Sequence, residues 1–364
     1  MHGFLKTMNK NDVLKQQIAT LLFNNTGRMD NLGLLDGKMG ICIFFFHLAK
    51  RTGEKIYQDF AETMIKEICG EIYLALSPNF GWGIPGIGWG LEYILQNNLI
   101  QVDAKDVLKE FDTIVSGYLS DIGTKPDAIA PLLGFAVYFL QRTKNKVSSG
   151  QGKENFQRMV SIFNMLELII EKSSGFVDRP KKWQLLWTFP LCVWFLFECH
   201  VHNLFSHRIE KITNMLVNYV TSKSSEFSKL HRNRLLLLWS VSKTSKGSAT
   251  LSNLKELILE KCACVKKEKI VLELPENDFT LSKGTSGIKW LYHELYTNTG
   301  KEHYKKAADY WLARTLEILG SIKLADFVRK NTATSYGLLT GLAGVGLVLL
   351  KVTCNDKKDH SFLQ

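Results

Sequence analysis

The sequence predicts an all-α fold: an α/α toroid of seven inner and seven outer helices, built from seven helical-hairpin repeats in a single domain over residues 1–364. Three observations carry this expectation. A glycine-headed segment recurs along the chain. The recurrences fall on a ruler of roughly fifty residues, within the range of repeat architectures. Each recurrence opens an apolar run and continues into an amphipathic one, the pattern of a buried helix followed by a half-exposed helix.

The repeat is clearest between DGKMGICIFFFHLAKRTGEKIYQDFAETM, from Asp36, and KGTSGIKWLYHELYTNTGKEHYKKAADYW, from Lys283. The two align without a gap. Gly37 meets Gly284, Gly40 meets Gly287, Leu48 meets Leu295, Gly53 meets Gly300 and Tyr57 meets Tyr304. GIPGIGWGLEYIL, with Gly83 and Gly86, and GLAGVGLVLL, with Gly341 and Gly344, repeat the head, and PLLGFAVYFLQRT around Gly134 repeats it weakly. The ruler leaves room for two further units near residues 185 and 236, where LLWTFPLCVWFLF and RLLLLWSVS lie without the glycines. The inner runs lack a polar face, which favours a closed ring over an open solenoid. The paired glycines read as packing devices: a residue without Cβ lets a turn approach neighbouring backbone and lets φ become positive. The polar stretch VSSGQGKENFQR reads as a flexible surface loop over Gln151–Arg158 between the third and fourth units.

Composition sets outer limits. The formal net charge is +11, with 22% charged residues. A basic surface attracts anionic partners and says nothing of fold. No nucleic-acid motif accompanies the scattered Lys and Arg, so no nucleic-acid partner is expected. Seven cysteines without framework spacing fit a reducing compartment. The segment MHGFLKTMNKND has no apolar core, and the longest apolar run, Leu185–Phe197, is short for a span and holds Pro190. The expectation is a cytoplasmic protein without membrane insertion. TLSKGTSGIKW, from Thr280, brings Lys and Gly together but is not a phosphate loop, because its Lys precedes its Gly.

The motifs GLLDGKMGI, GIPGIGWG, the TG-x-x-x-Y turn and GLLTGLAGVGLVLL resemble the lanthionine synthetase C-like family. The resemblance spans the chain, strong in the first two and last two units and thin in the middle. It implies the seven-plus-seven toroid and an association with ribosomally made peptides. Cyclases of that family hold a peptide thiol on zinc and add it to a dehydrated Ser or Thr, forming a thioether. Their zinc sits on a Trp-Cys motif of the fifth unit and a Cys-His pair before the glycine of the sixth. A His-Gly motif of the fourth unit assists proton transfer.

This sequence departs at each point. Ser282 and Lys283 align with the Cys-His pair, Trp239-Ser240 with the Trp-Cys motif, and Thr188-Phe189 with the His-Gly motif. Ser240, Ser282, Lys283 and Thr188 are thus the cavity candidates. Hydroxyls and an ammonium do not hold zinc, so no metal, cofactor or catalytic residue is assigned. The implied role is a zinc-less member that binds a precursor peptide or a partner modifying enzyme. The rival expectation is an active thioether-forming or glutathione-adding enzyme with unexpected metal ligands. A remoter one is a carbohydrate-active toroid, which needs cavity carboxylates as acid and base; Asp36 and Glu92 lie close to the glycine heads, but a solvated or capping role is the expectation for both. Outside the heads, Cys192, Cys199, His200, His202 and His207 form the densest ligand cluster. The seven-residue spacing of Cys192 with Cys199 and of His200 with His207 places each pair on one face of a helix. A buried structural role is the expectation there, as it is for Cys262-Ala-Cys264.

Overall fold

The computed structural model describes residues 10–75, 77–123, 126–144, 150–172, 182–222, 230–243, 248–262, 265–330 and 334–351. Its α-helices, in chain order, are α1 (Lys10–Asn25), α2 (Lys38–Thr52), α3 (Lys55–Gly70), α4 (Ile84–Gln96), α5 (Lys105–Asp121), α6 (Ile129–Thr143), α7 (Gly150–Lys172) and α8 (Lys182–Val201). They continue as α9 (Ser206–Ser222), α10 (His231–Ser240), α11 (Ala249–Cys262), α12 (Lys267–Glu273), α13 (Thr285–Thr299), α14 (Glu302–Ser321), α15 (Leu324–Lys330) and α16 (Leu342–Lys351).

Seven of these form a closed inner ring, in which α2, α4, α6, α8, α10, α13 and α16 each pack on the next and α16 packs back on α2. Each carries an outer helix: α3 lies on α2, α5 on α4, α7 on α6, α9 on α8, α11 on α10 and α14 on α13. The last inner helix, α16, receives its outer partner from the other end of the chain, α1. The architecture is the α/α toroid that the repeats predict, with units at both glycine-free places on the ruler.

Burial explains the two helix types. In α4 every residue from Ile84 to Ile94 is buried, as an inner helix covered on all sides requires. The outer α3 buries only Ala61, Met64, Ile65 and Ile68, and α14 buries Ala308, Trp311, Thr315, Ile318 and Leu319. Those spacings of three and four make a single stripe. Between α2 and α3, and again between α13 and α14, the chain turns on Gly53 (φ 74°) and Gly300 (φ 67°). Their N–H groups close on the carbonyls of Ala49 and Tyr296 at 2.8 and 2.7 Å, the left-handed helix end that favours glycine.

At the other end of the inner helices the glycine heads build a repeated loop. The first helical N–H of α2, α4, α13 and α16 (Lys38, Ile84, Thr285 and Leu342) donates to a carbonyl seven residues earlier (Asn31, Ser77, Asp278 and Ser335) at 2.8–3.2 Å. A backbone loop thus satisfies donors that a helix start leaves unpaired. The carbonyls of Leu34, Phe80, Leu281 and Leu338 press on Gly40, Gly86, Gly287 and Gly344, where any Cβ would overlap them. The preceding glycines Gly37, Gly83 and Gly284 have φ of −131°, −110° and −101°. The heads therefore use glycine for close approach and not, as the sequence also suggested, for positive φ. Gly134 lies one turn deeper in its helix, under the Phe80 side chain.

The loops also join each other around the ring. Ser282 N–H donates to Leu339 C=O, Leu339 N–H to Leu35 C=O and Leu35 N–H to Gly81 C=O, each at 2.8 Å. These residues all stand two positions before the head glycines Gly284, Gly341, Gly37 and Gly83.

One further placement differs from the sequence reading. Residues Gln151–Arg158 are the first turns of the outer helix α7, not a loop. The Ser-Ser-Gly that precedes them in the sequence masks a helical stripe through Phe156, Met159 and Phe163, and Asn155 is drawn inward to donate to Asp112 at 3.2 Å. That Asp112 belongs to a buried network. Arg142 donates to both Asp112 oxygens at 3.0 and 2.8 Å and pairs with Glu92, Tyr138 OH donates to Asp112 at 2.6 Å, and both acid–base partners are 1% exposed. Burial opposes the Arg142 charge, but the Asp112 bonds and Glu92 outweigh it and hold its pKa above the ordinary value.

These contacts set two stability expectations. Gly287→Ala loses about 1–3 kcal/mol by overpacking, whereas Gly117→Ala, on the open face of α5, gains about 0.5–1 kcal/mol; urea unfolding of the pair measures both. Arg142→Ala strands two buried carboxylates and costs about 3–5 kcal/mol, read by the same unfolding curves.

Candidate functional site at the mouth of the toroid

The heads of α10, α13 and α16 open together on one groove of about 970 Å³. Its walls are Leu35, Leu236, Leu281, Leu338 and Leu339, with Trp290 contributing to the lining. Ser282, Lys283, Arg232 and Asn233 are its polar members. Much of the apolar lining follows from the repeat: Leu35, Leu281, Leu338 and Leu339 all stand two or three positions before a head glycine, on loops held by the loop-to-loop bonds.

Ser282 is half-buried and its hydroxyl lies 3.4 Å from Thr280 Oγ1. Thr280 is fixed in turn by Asp278, whose Oδ1 accepts its N–H at 2.8 Å and its hydroxyl at 2.7 Å. Lys283 is exposed. Its carbonyl accepts a bond from Arg232 Nη1 at 3.2 Å, and both residues line the groove lip. Arg232 sits in the first turn of α10, where Glu273 at the end of α12 accepts the N–H groups of His231 and Arg232 at 2.7 and 3.0 Å. Burial pulls the Arg232 pKa down, against the attraction of Glu273 and Asp278.

The structure brings Ser282 and Lys283 together but not Ser240 or Thr188. Ser240 is the last residue of α10, eight residues past Arg232 and so about 12 Å further along the axis. It is 1% exposed and donates to its own helix at Leu237 C=O, 2.7 Å away. Its neighbour Trp239 stacks on Trp194 (6.0 Å between ring centroids) and touches Trp290 (5.5 Å), a tier of indoles from α8, α10 and α13. Thr188 is buried inside α8. Because α10 begins at His231, the place two residues before its start falls in 223–229, outside the described residues. The sequence of that segment, KSSEFSK, contains neither Cys nor His.

Sequence reasoning missed Arg232 and Glu273. The head of α10 has no glycine, so its register could not be aligned, and Glu273 comes from a distant short helix. The basic start of HRNRLLLLW, from His231, was the available signal.

The other candidates separate. His200 ends α8 while His207 is on α9, after a turn through Asn203 (φ 55°) and Phe205 (φ 57°); the two do not share a helix, because the apolar run of α8 stops at Val201. Cys192 and Cys199 are fully buried, and burial pushes the Cys192 thiol up to about 12 and Cys199 above its ordinary value. Cys262 is likewise buried and pushed up to about 12, and Cys264 lies outside the described residues. Glu198, beside them, pairs with Lys243, with Lys144 at 3.5 Å and with His202 at 3.8 Å, clamping the far ends of α6, α8 and α10. Glu92 faces the outer layer on Arg142, while Asp36 stands on the rim and accepts from Thr340 Oγ1 at 2.8 Å. They do not form an acid–base pair.

Among the described residues no group of three His, Cys, Asp or Glu could hold a metal, and no helix is long and apolar enough to cross a membrane. At the mouth, the donor set of one hydroxyl, an ammonium and a guanidinium does not fit zinc, which takes thiolate, imidazole or carboxylate.

The closed double ring defines an α/α toroid, and comparison with known proteins places it further. Residues 28–185 match the family model described as lanthionine synthetase C-like protein. The solved structure of nisin cyclase superposes with a TM-score of 0.67 at 12% identity, covering 95% of each chain. No curated protein sequence matches. The likeness to nisin cyclase is one of fold over the whole ring, and the family model reaches through the first units of it.

The burial of Cys192 and Cys199 sets a measurable expectation. At pH 8 a soluble disulfide reagent leaves both unmodified in the folded protein, by peptide mass mapping, and modifies both in guanidinium, since the thiolate is the reactive form.

Proposed function

We propose that this protein is a zinc-less lanthionine synthetase C-like protein that binds a precursor peptide, or the enzyme modifying it, at the mouth of the toroid and forms no thioether itself. The observation that carries this reading is the pair Ser282 and Lys283 directly before the head glycine of the sixth unit, with Arg232 against them. The family resemblance puts thiolate and imidazole ligands there. A hydroxyl and two fixed positive charges leave a divalent cation no donor and repel it. What remains is an apolar groove with a cationic lip, which suits a peptide better than it suits a metal.

Metal analysis tests the first half of the reading. Protein purified without chelators is expected to carry well under one zinc per chain; one tightly bound equivalent overturns the proposal. Incubation with a dehydrated, thiol-containing precursor tests the second half. Every thiol is expected to remain open to alkylation by intact mass, and thioether formation would show that the two cations activate a thiol unaided.

A further inference from the structure

We infer that the groove at the mouth holds the C-terminal end of a peptide, its terminal carboxylate between Arg232 and Lys283 and its aliphatic side chains on the leucine lining. The inference rests on the reading of the mouth as a peptide site and names the part of the peptide that enters.

The first ground is the division of the lining. Both cations line the same lip, where Arg232 donates to the Lys283 carbonyl, and apart from Asn233 and Ser282 the rest of the wall is aliphatic, aromatic or glycine. The complement is a ligand with one anion at its end and an apolar remainder. The second ground is that the cations have capacity left. The Lys283 ammonium has no ion-pair partner among the described residues, and Arg232 spends one of five donors on the Lys283 carbonyl. Neighbouring Glu273 has both oxygens engaged by the backbone at the start of α10.

The third ground separates a chain end from a passing segment. An extended peptide lying across the groove needs partners for its own N–H and C=O groups. The strands of loop that floor the groove have spent theirs on each other, Ser282 on Leu339, Leu339 on Leu35 and Leu35 on Gly81. An internal segment would bury unpaired amides against leucines. A terminal residue places its carboxylate and its side chain on one Cα, so the anion meets the cations while the apolar part meets the lining. Charge-assisted bonds of this kind are about twice as strong as neutral ones.

Fluorescence anisotropy on the full chain tests this with a fluorescein-labelled Gly-Ser-Ala-Leu-Leu peptide, as the free acid and as the C-terminal amide. The free acid is expected to bind at least roughly tenfold more tightly. Lys283→Gln and Arg232→Gln should each remove most of that difference, and Leu339→Asp, which sets a like charge against the carboxylate, should abolish binding of the acid. Lys283 is exposed, so its variant serves even where the Arg232 variant does not fold. Equal affinity of acid and amide overturns the carboxylate anchor while leaving the peptide reading standing. Binding of neither form to folded protein also overturns the inference, and the zinc measurement then judges the broader reading by itself. Displacement of the probe by decanoate as readily as by unlabelled peptide would assign the groove to a lipid anion and overturn it too.

Discussion

The structure depends on main chain lying directly against main chain at the heads of the inner helices. A carbonyl three residues before each head glycine rests on the backbone of a glycine three residues after it, in the space a Cβ would fill. That contact fixes the loop, the loop caps the helix start, and the capped starts all reach the same end of the ring. Seven inner helices can then stand side by side with their first turns close enough for one loop to bond to the next. The ladder from Ser282 through Leu339 and Leu35 to Gly81 is the result of repeating one tight contact, not a feature that any unit could make alone.

Such a scaffold leaves few side chains free to vary at the mouth. The positions two and one before the head glycines are Leu35 and Asp36, Gly81 and Trp82, Ser282 and Lys283, Leu339 and Thr340. Their backbones are committed, while their side chains face the groove or the rim. Trp82 is 57% exposed there. A change of side chain at these places alters the chemistry of the mouth without disturbing a helix, which is the usual relation between fold and function. The buried charges elsewhere follow a different logic. Arg142 with Glu92 and Asp112, and Glu198 with Lys144 and Lys243, tie neighbouring units through the interior and have no open approach.

The ring and its unit count were legible in the sequence because glycine heads and apolar period report directly on close packing. Ser282 and Lys283 were legible for the same reason, since their distance from Gly284 is fixed by the loop. The place of Ser240 was not, because α10 starts without a glycine to set the register, and the residue falls at the far end of that helix. Arg232 and Glu273 meet only through tertiary contact, 41 residues apart, and no local pattern encodes that. The start of α7 was hidden because SSGQG has the composition of a turn, and only the pull of Asn155 into the Asp112 network makes its first turns regular.

The pairing of α1 with α16 gives the molecule a property that its linear repeats would not suggest. An open array frays from its end units, and its stability is close to a sum over neighbours. Here the two ends of the chain close one unit between them, so no unit is terminal. Losing any one of them opens the whole circle, and the seven units share a common fate in unfolding although six of them are local in sequence. The cationic lip at α10 and α13 is therefore held by the grip of α1 on α16 as much as by its own loops.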